Sequence, residues 1–223
     1  MTSVVGGLMS AIALLPGAAQ PNAADYRLQG LAYRQQGRFD DAIALFQQAI
    51  ELEPANIDGR VLLGWTQHLH QQRAAAIATL RTTAYQSPLS AEPFNALGIV
   101  YLVEGHLDDA VMTHHWAALL MPDNEIAYFN LSLAYQRLER FDWAIVNAQQ
   151  AAALEPTNPH PRIALAIAQW SAGDHHAAQA SFAEALTLAP YYSDEDGLQY
   201  LSAAAFSPDQ IAISRTILNS LGS

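Results

Sequence analysis

The chain has 223 residues, with 21 acidic against 10 basic side chains and a formal net charge of −11, a balance that disfavours a sequence-independent grip on nucleic acid or anionic lipid. Every basic residue is arginine and there is no cysteine, which removes P-loop and Schiff-base lysines, thiol nucleophiles, disulfides and thiolate metal sites. Such a composition agrees with a soluble, partner-binding protein.

Val4 to Leu15 is an uncharged run of twelve residues, too short to cross a bilayer as a helix. The small residues Gly17, Ala18 and Ala19 after Pro16 are similar to a secretory cleavage region, but no Lys or Arg precedes the run. Three readings stay open: a signal or weakly membrane-associated segment, a helix packed on the following domain or in its groove, and a disordered start. The protein is exported, lumenal or membrane-associated if residues 1–19 are a signal, and cytoplasmic otherwise. Residues 1–22 are read as this segment and a linker.

From residue 23 the chain becomes periodic. Pro54, Pro88, Pro122, Pro156 and Pro190 stand 34 residues apart, and Ala42, Ala76, Ala110, Ala144 and Ala178 keep the same step. A second small column runs through Gly30, Gly64, Gly98, Ser132 and Ala166, and a third through Ala49, Thr83, Ala117, Ala151 and Ala185. Small side chains at these places let the two helices of a hairpin approach closely, and Tyr33, Tyr101, Tyr135, Phe46 and Phe182 supply the knobs between them. A fixed period of this length denotes a stacked array whose function lies on a surface. Arg60, Gln67, Leu80 and Thr83 depart from the pattern and mark the second unit as the weak point in packing; Arg162 and Gln169 depart in the fifth.

Gly37, Gly105 and Gly173 are placed to end first helices in a left-handed conformation. Asp40, Asp108 and Asp142 are expected to cap the second helices, with Asp41 and Asp109 adding charge at the positive end. Capping accounts for these acids without catalytic carboxylates or a metal. His68 and His70, His114 and His115, and His175 and His176 are spaced so that neighbours point away from each other on a helix, and no metalloprotease motif occurs. Neither a metal nor a cofactor is expected, nor is any catalytic residue. After Pro190, residues 191–205 are expected to form one more helix, and Ser207 and Pro208 to open a last helix running to about Leu221. Residues 193–223 are read as a solubilising cap.

These columns resemble the tetratricopeptide repeat, with its Gly and Tyr positions in the first helix, its Ala-x3-Phe-x2-Ala in the second and its closing Pro. The resemblance covers five repeats, 23–56, 57–90, 91–124, 125–158 and 159–192. It implies an all-α fold, a right-handed superhelical solenoid of antiparallel helix pairs with a C-terminal capping helix. It also implies a concave groove lined by the fifth, ninth and twelfth places of each repeat. The ninth places hold Leu31, Trp65, Ile99, Leu133 and Ile167, the fifth Arg27, Val61, Asn95, Phe129 and Ile163, and the twelfth Arg34, His68, Leu102, Gln136 and Trp170. Leu69 and Val103 follow at the thirteenth.

Repeats that hold an acidic chaperone tail carry a basic and asparagine clamp at the fifth and ninth places, and this chain lacks it. The apolar channel suits the greasy face of a helix or an extended hydrophobic peptide, with Trp65, Phe129 and Trp170 as anchors. The alternative is that many of these side chains are core, or are covered by the protein's own termini. The preferred reading is a non-enzymatic scaffold or assembly factor for a protein partner, including the case of a subunit of a membrane complex. The second is a regulatory or substrate-recruiting module of an enzyme complex.

Overall fold

The computed structural model describes residues 21–222, and the apolar run Val4–Leu15 lies outside them. Ten helices follow as five pairs: α1 (Ala23–Gln35) and α2 (Phe39–Leu52), α3 (Ile57–Leu69) and α4 (Arg73–Gln86), α5 (Ala91–Glu104) and α6 (Leu107–Leu120), α7 (Glu125–Arg137) and α8 (Phe141–Leu154), α9 (Pro159–Ser171) and α10 (His175–Leu188). First helices begin at residues 23, 57, 91, 125 and 159, and second helices at 39, 73, 107, 141 and 175. Each helix packs on the one before it, and α3, α5, α7 and α9 also touch in succession. The result is an all-helical solenoid.

The pairing rests on small side chains facing large ones. A methyl placed on Gly30 would lie 2.7 Å from Phe46, one on Gly64 2.5 Å from Leu80, and one on Gly98 2.6 Å from His114. All five alanines of the unbroken column, Ala42 to Ala178, are completely buried. The aromatic position lost in repeats 2 and 5 is replaced by a hydrogen bond. Thr79 Oγ1 donates to Gln67 Oε1 at 2.8 Å, and Ser181 Oγ to Gln169 Oε1 at 2.8 Å. Gln67 is buried, so the pairing satisfies a polar group that would otherwise be costly.

The connections between paired helices repeat one backbone state. Gly37, Gly105 and Gly173 have φ of 73°, 82° and 89°, and the equivalent places in repeats 2 and 4, Gln71 and Glu139, have φ of 59° and 58°. The capping differs from the expectation. Arg38, His106 and Arg140 precede α2, α6 and α8 without a side-chain cap, which puts Asp40, Asp108 and Asp142 inside the first turn. There they meet the helix dipole as first-turn charges. Asp41 instead binds Arg38 at 2.7 Å and Asp40 faces His70 at 3.1 Å. Capping by side chains falls mainly to the first helices, where Asn22, Asn56, Asn124 and Asn158 each accept a backbone N–H. Among second helices Asp174 caps α10.

Past α10 the chain does not form the single helix expected over 191–205. It makes a 3-10 turn (Pro190–Ser193), the short helix α11 (Glu195–Leu198) and a further 3-10 stretch (Gln199–Ala204) before α12 (Pro208–Ser220). Asp194 is extended, with φ −136° and ψ 170°, and accepts a hydrogen bond from Gly197 N at 2.7 Å. A methyl on Gly197 would overlap the Tyr191 carbonyl oxygen, so this glycine allows the fold-back that breaks the helix. Ser207 caps α12 in a reciprocal box with Gln210.

Because nothing crowds Gly173, Gly173→Ala costs about 1 kcal/mol of backbone strain, and Gln71→Gly and Glu139→Gly each gain about 0.5–1 kcal/mol. Urea midpoints measure both effects, and unchanged midpoints would deny the left-handed turns. His114, fully buried with both ring nitrogens lacking a hydrogen-bond partner, is pushed by burial from 6.5 down to about 3. The unfolded chain therefore takes up a proton that the folded one refuses, so this site's contribution is complete above about pH 6.5 and lost as pH falls toward 3. His114→Phe restores the ring found at Phe46 and Phe182. Its stability advantage over wild type should widen by about 2 kcal/mol between about pH 7.5 and about pH 5; a constant difference would mean that the ring takes up its proton as readily in the fold as in the unfolded chain.

Candidate functional site

The expected groove residues fall into two groups. In the N-terminal half, Arg27, Leu31, Arg34, Val61, Trp65, His68, Asn95 and Ile99 are all half-buried. They project from α1, α3 and α5, the first helices of repeats 1 to 3. Leu69 and Val103 are exposed beside them. The polar members are partly committed already: Arg27 binds Glu53 at 2.7 Å, and Asn95 Oδ1 accepts from Asn124 Nδ2 at 3.0 Å. The Trp65 and His68 rings are 5.2 Å apart, and burial lowers the His68 pKa. Burial also lowers that of Arg34, which has no ion-pair partner among the described residues. What faces solvent is an apolar strip from Leu31 to Ile99 with one unpaired guanidinium beside it.

In the C-terminal half the same columns are buried. Leu102, Ile163 and Ile167 are fully enclosed, Leu133 is 1 % exposed, and Phe129 and Gln136 are nearly as inaccessible. The chain's own tail covers them. Leu102, Phe129, Leu133, Ile163 and Ile167 share one core with Tyr192, Leu198, Leu201, Phe206 and Ile217. The Phe206 ring lies 5.6 Å from that of Phe129, and His160 Nε2 is 2.8 Å from the Tyr192 hydroxyl. Gln210, itself buried, donates from Nε2 to the Leu133 carbonyl at 3.1 Å and to Gln136 Oε1 at 2.9 Å. Trp170 is half-buried and stacks on His175 at 4.1 Å.

Residues of the tail are thus part of the site, and the sequence reading did not assign them individually. Their signal was the reciprocal Ser207–Gln210 cap with Phe206 just before it, which fixes the entry of α12. Among the described residues no group of three or more His, Asp or Glu side chains is arranged to hold a metal ion. His115 is 2.6 Å from the Tyr135 hydroxyl, and His176 is exposed. No helix of the described residues is long and apolar enough to cross a membrane.

Comparison with known proteins agrees with this architecture. Residues 30–71 match a family model described as TPR repeat, and residues 126–158 and 162–192 match one described as tetratricopeptide repeat. No curated protein matches. Among solved structures, a thermophilic TPR protein from Thermus thermophilus is 26% identical with a TM-score of 0.64, over 82% of this chain and 98% of that one. MamA MSR-1 is 24% identical with a TM-score of 0.61, over 74% of this chain and 95% of that one, a likeness of fold. Another MamA crystal structure is 23% identical with a TM-score of 0.64, over 74% and 91% of the two chains, again in fold. Proteins of this kind are generally non-enzymatic scaffolds that hold other proteins, and the chain belongs to the tetratricopeptide repeat family.

Proposed function

We propose that this scaffold holds an apolar helix or extended hydrophobic segment of a partner protein against the N-terminal half of its concave face. Trp65 is the central anchor, with Leu31, Val61 and Ile99 around it. The observation that carries this reading is the contrast between the two halves. The chain uses its own Phe206, Ile217 and Leu201 to cover Leu102 of repeat 3 and the apolar columns of repeats 4 and 5, while Leu31, Val61, Trp65 and Ile99 in repeats 1 to 3 keep solvent exposure. A partner segment of similar chemistry would complete the same covering, with the unpaired Arg34 donating to a carboxylate or to terminal carbonyls at its edge.

Affinity capture from the source cell extract at high salt, comparing wild type with Trp65→Glu, tests the reading. Trp65→Glu should lose the partner at least ten-fold while far-UV circular dichroism stays unchanged, because a carboxylate at a half-exposed anchor blocks apolar docking without entering the core. Equal capture by both chains would move the binding surface elsewhere. Leu133→Glu behaves differently, since it puts an unpaired charge under the seated tail. It should cost about 3–5 kcal/mol in a thermal or urea melt, and unaltered stability would mean that the tail does not occupy the groove.

A further inference from the structure

The outer face of the solenoid carries a second apolar surface. Outward places on the second helices of repeats 1 and 5 are small or polar: Ala44, Gln48 and Glu51 in α2, Ala180, Glu184 and Thr187 in α10. In α6 the same three places are Met112, Trp116 and Leu119, exposed at 73%, 42% and 68%. On the α4 side Tyr85 is exposed at 78%, and on the α8 side Trp143 and Val146 at 58% and 57%. A helix apolar on its outer as well as its inner face is the pattern of a buried helix, yet α6 is covered on one side only.

Between α4 and α6 lies a cleft of about 260 Å³ lined by Tyr85, Phe94, Tyr101, Met112 and Trp116. One repeat later the equivalent space is filled, because His115 reaches the Tyr135 hydroxyl and Trp143 stacks on Tyr135 at 6.1 Å. A hollow therefore lies on one side of α6, and on the other Trp143 and Val146 keep more than half of their surface exposed. A two-fold axis running along α6 in the plane of this face sets two copies with their second helices parallel. It lays α4 of one copy over α8 of the other.

We propose that the outer face of repeats 2 to 4 is the interface of a two-fold dimer of this chain, with α6 against α6 and Trp143 of each copy seated in the other's cleft between α4 and α6. The six side chains present on the order of 800 Å² of mostly apolar surface, what one partner contributes to a standard interface and more than monomers ordinarily leave open. Occupation by a second copy uses the hollow and the knob together, twice over, as a closed isologous contact requires. Each copy carries −11, so the copies repel at long range and added salt tightens the dimer.

Sedimentation velocity of the full chain across a concentration series tests this. Wild type should show a monomer–dimer equilibrium that shifts toward dimer at high salt, and Met112→Glu and Trp143→Glu should each raise the dimer Kd at least ten-fold with helicity unchanged. Since the chain has no cysteine, Met112→Cys introduces a single thiol close to the axis. Oxidation should link that variant into a covalent dimer, whereas Gln48→Cys on the outward face of α2 should stay monomeric. A wild-type chain monomeric at every concentration, or a dimer that survives both glutamate variants, overturns the proposal. So does binding to phosphatidylcholine vesicles that Met112→Glu abolishes, which would assign the face to lipid.

Discussion

The whole array depends on how closely the two helices of each repeat can approach. That approach is set by a small residue in the first helix facing a large one in the second, Gly30 on Phe46, Gly64 on Leu80 and Gly98 on His114, above an alanine that is fully buried in every repeat. With the hairpin fixed, each repeat presents one apolar edge to the next, and stacking is the way to bury it. The groove is a by-product of that stacking. Its lining residues sit on first helices whose other faces are already used against the second helices, so changing what the groove recognises need not disturb the hairpins.

The groove is asymmetric in its occupancy. From repeat 3 to repeat 5 the tail fills it with aromatic and aliphatic side chains, and Gln210 satisfies polar groups of α7 at the centre of the contact. This is more than a lid over an end, because buried polar atoms there lose their partners if the tail leaves. From repeat 1 as far as Ile99 in repeat 3 the groove places keep solvent exposure, and the arginine and asparagine at the fifth place there are tied to Glu53 and Asn124. An acidic tail clamp would need those groups free.

Much of this was legible in the sequence, and for identifiable reasons. Proline, alanine and glycine report steric demands that tolerate few substitutes, so their 34-residue columns carry the period at which the helix pairs recur. The asparagines two places after Pro54, Pro122 and Pro156 are equally periodic and cap three first helices, whereas attention to Asp40, Asp108 and Asp142 placed caps on the wrong helices. The covering of Phe129, Leu133 and Ile163 was not readable residue by residue. An apolar side chain has the same identity whether a partner or the chain's own tail covers it. Nor did the residues of 191–205 show that Gly197 admits the Tyr191 carbonyl and breaks the helix. That contact belongs to the folded backbone.

The asparagine caps also decide how the array comes apart. Asn158 reaches Glu125 at 3.0 Å and Asn124 reaches Asn95 at 3.0 Å, so these caps tie each repeat start to the repeat before it. At the start of α5 the equivalent residue is Ser90, which makes no cap bond. Repeats 3 to 5 and the tail are thereby joined by polar ties and one continuous core running from Leu102 to Ile217. Repeats 1 and 2 are attached through smaller apolar clusters, the pair of exposed Arg73 with half-buried Glu104, and a hydrogen bond from Trp116 Nε1 to the Pro88 carbonyl. The molecule is a cooperative base carrying a more readily opened arm. The half of the groove proposed to hold a partner lies largely on that arm, so binding there would couple occupancy to order in the first two repeats.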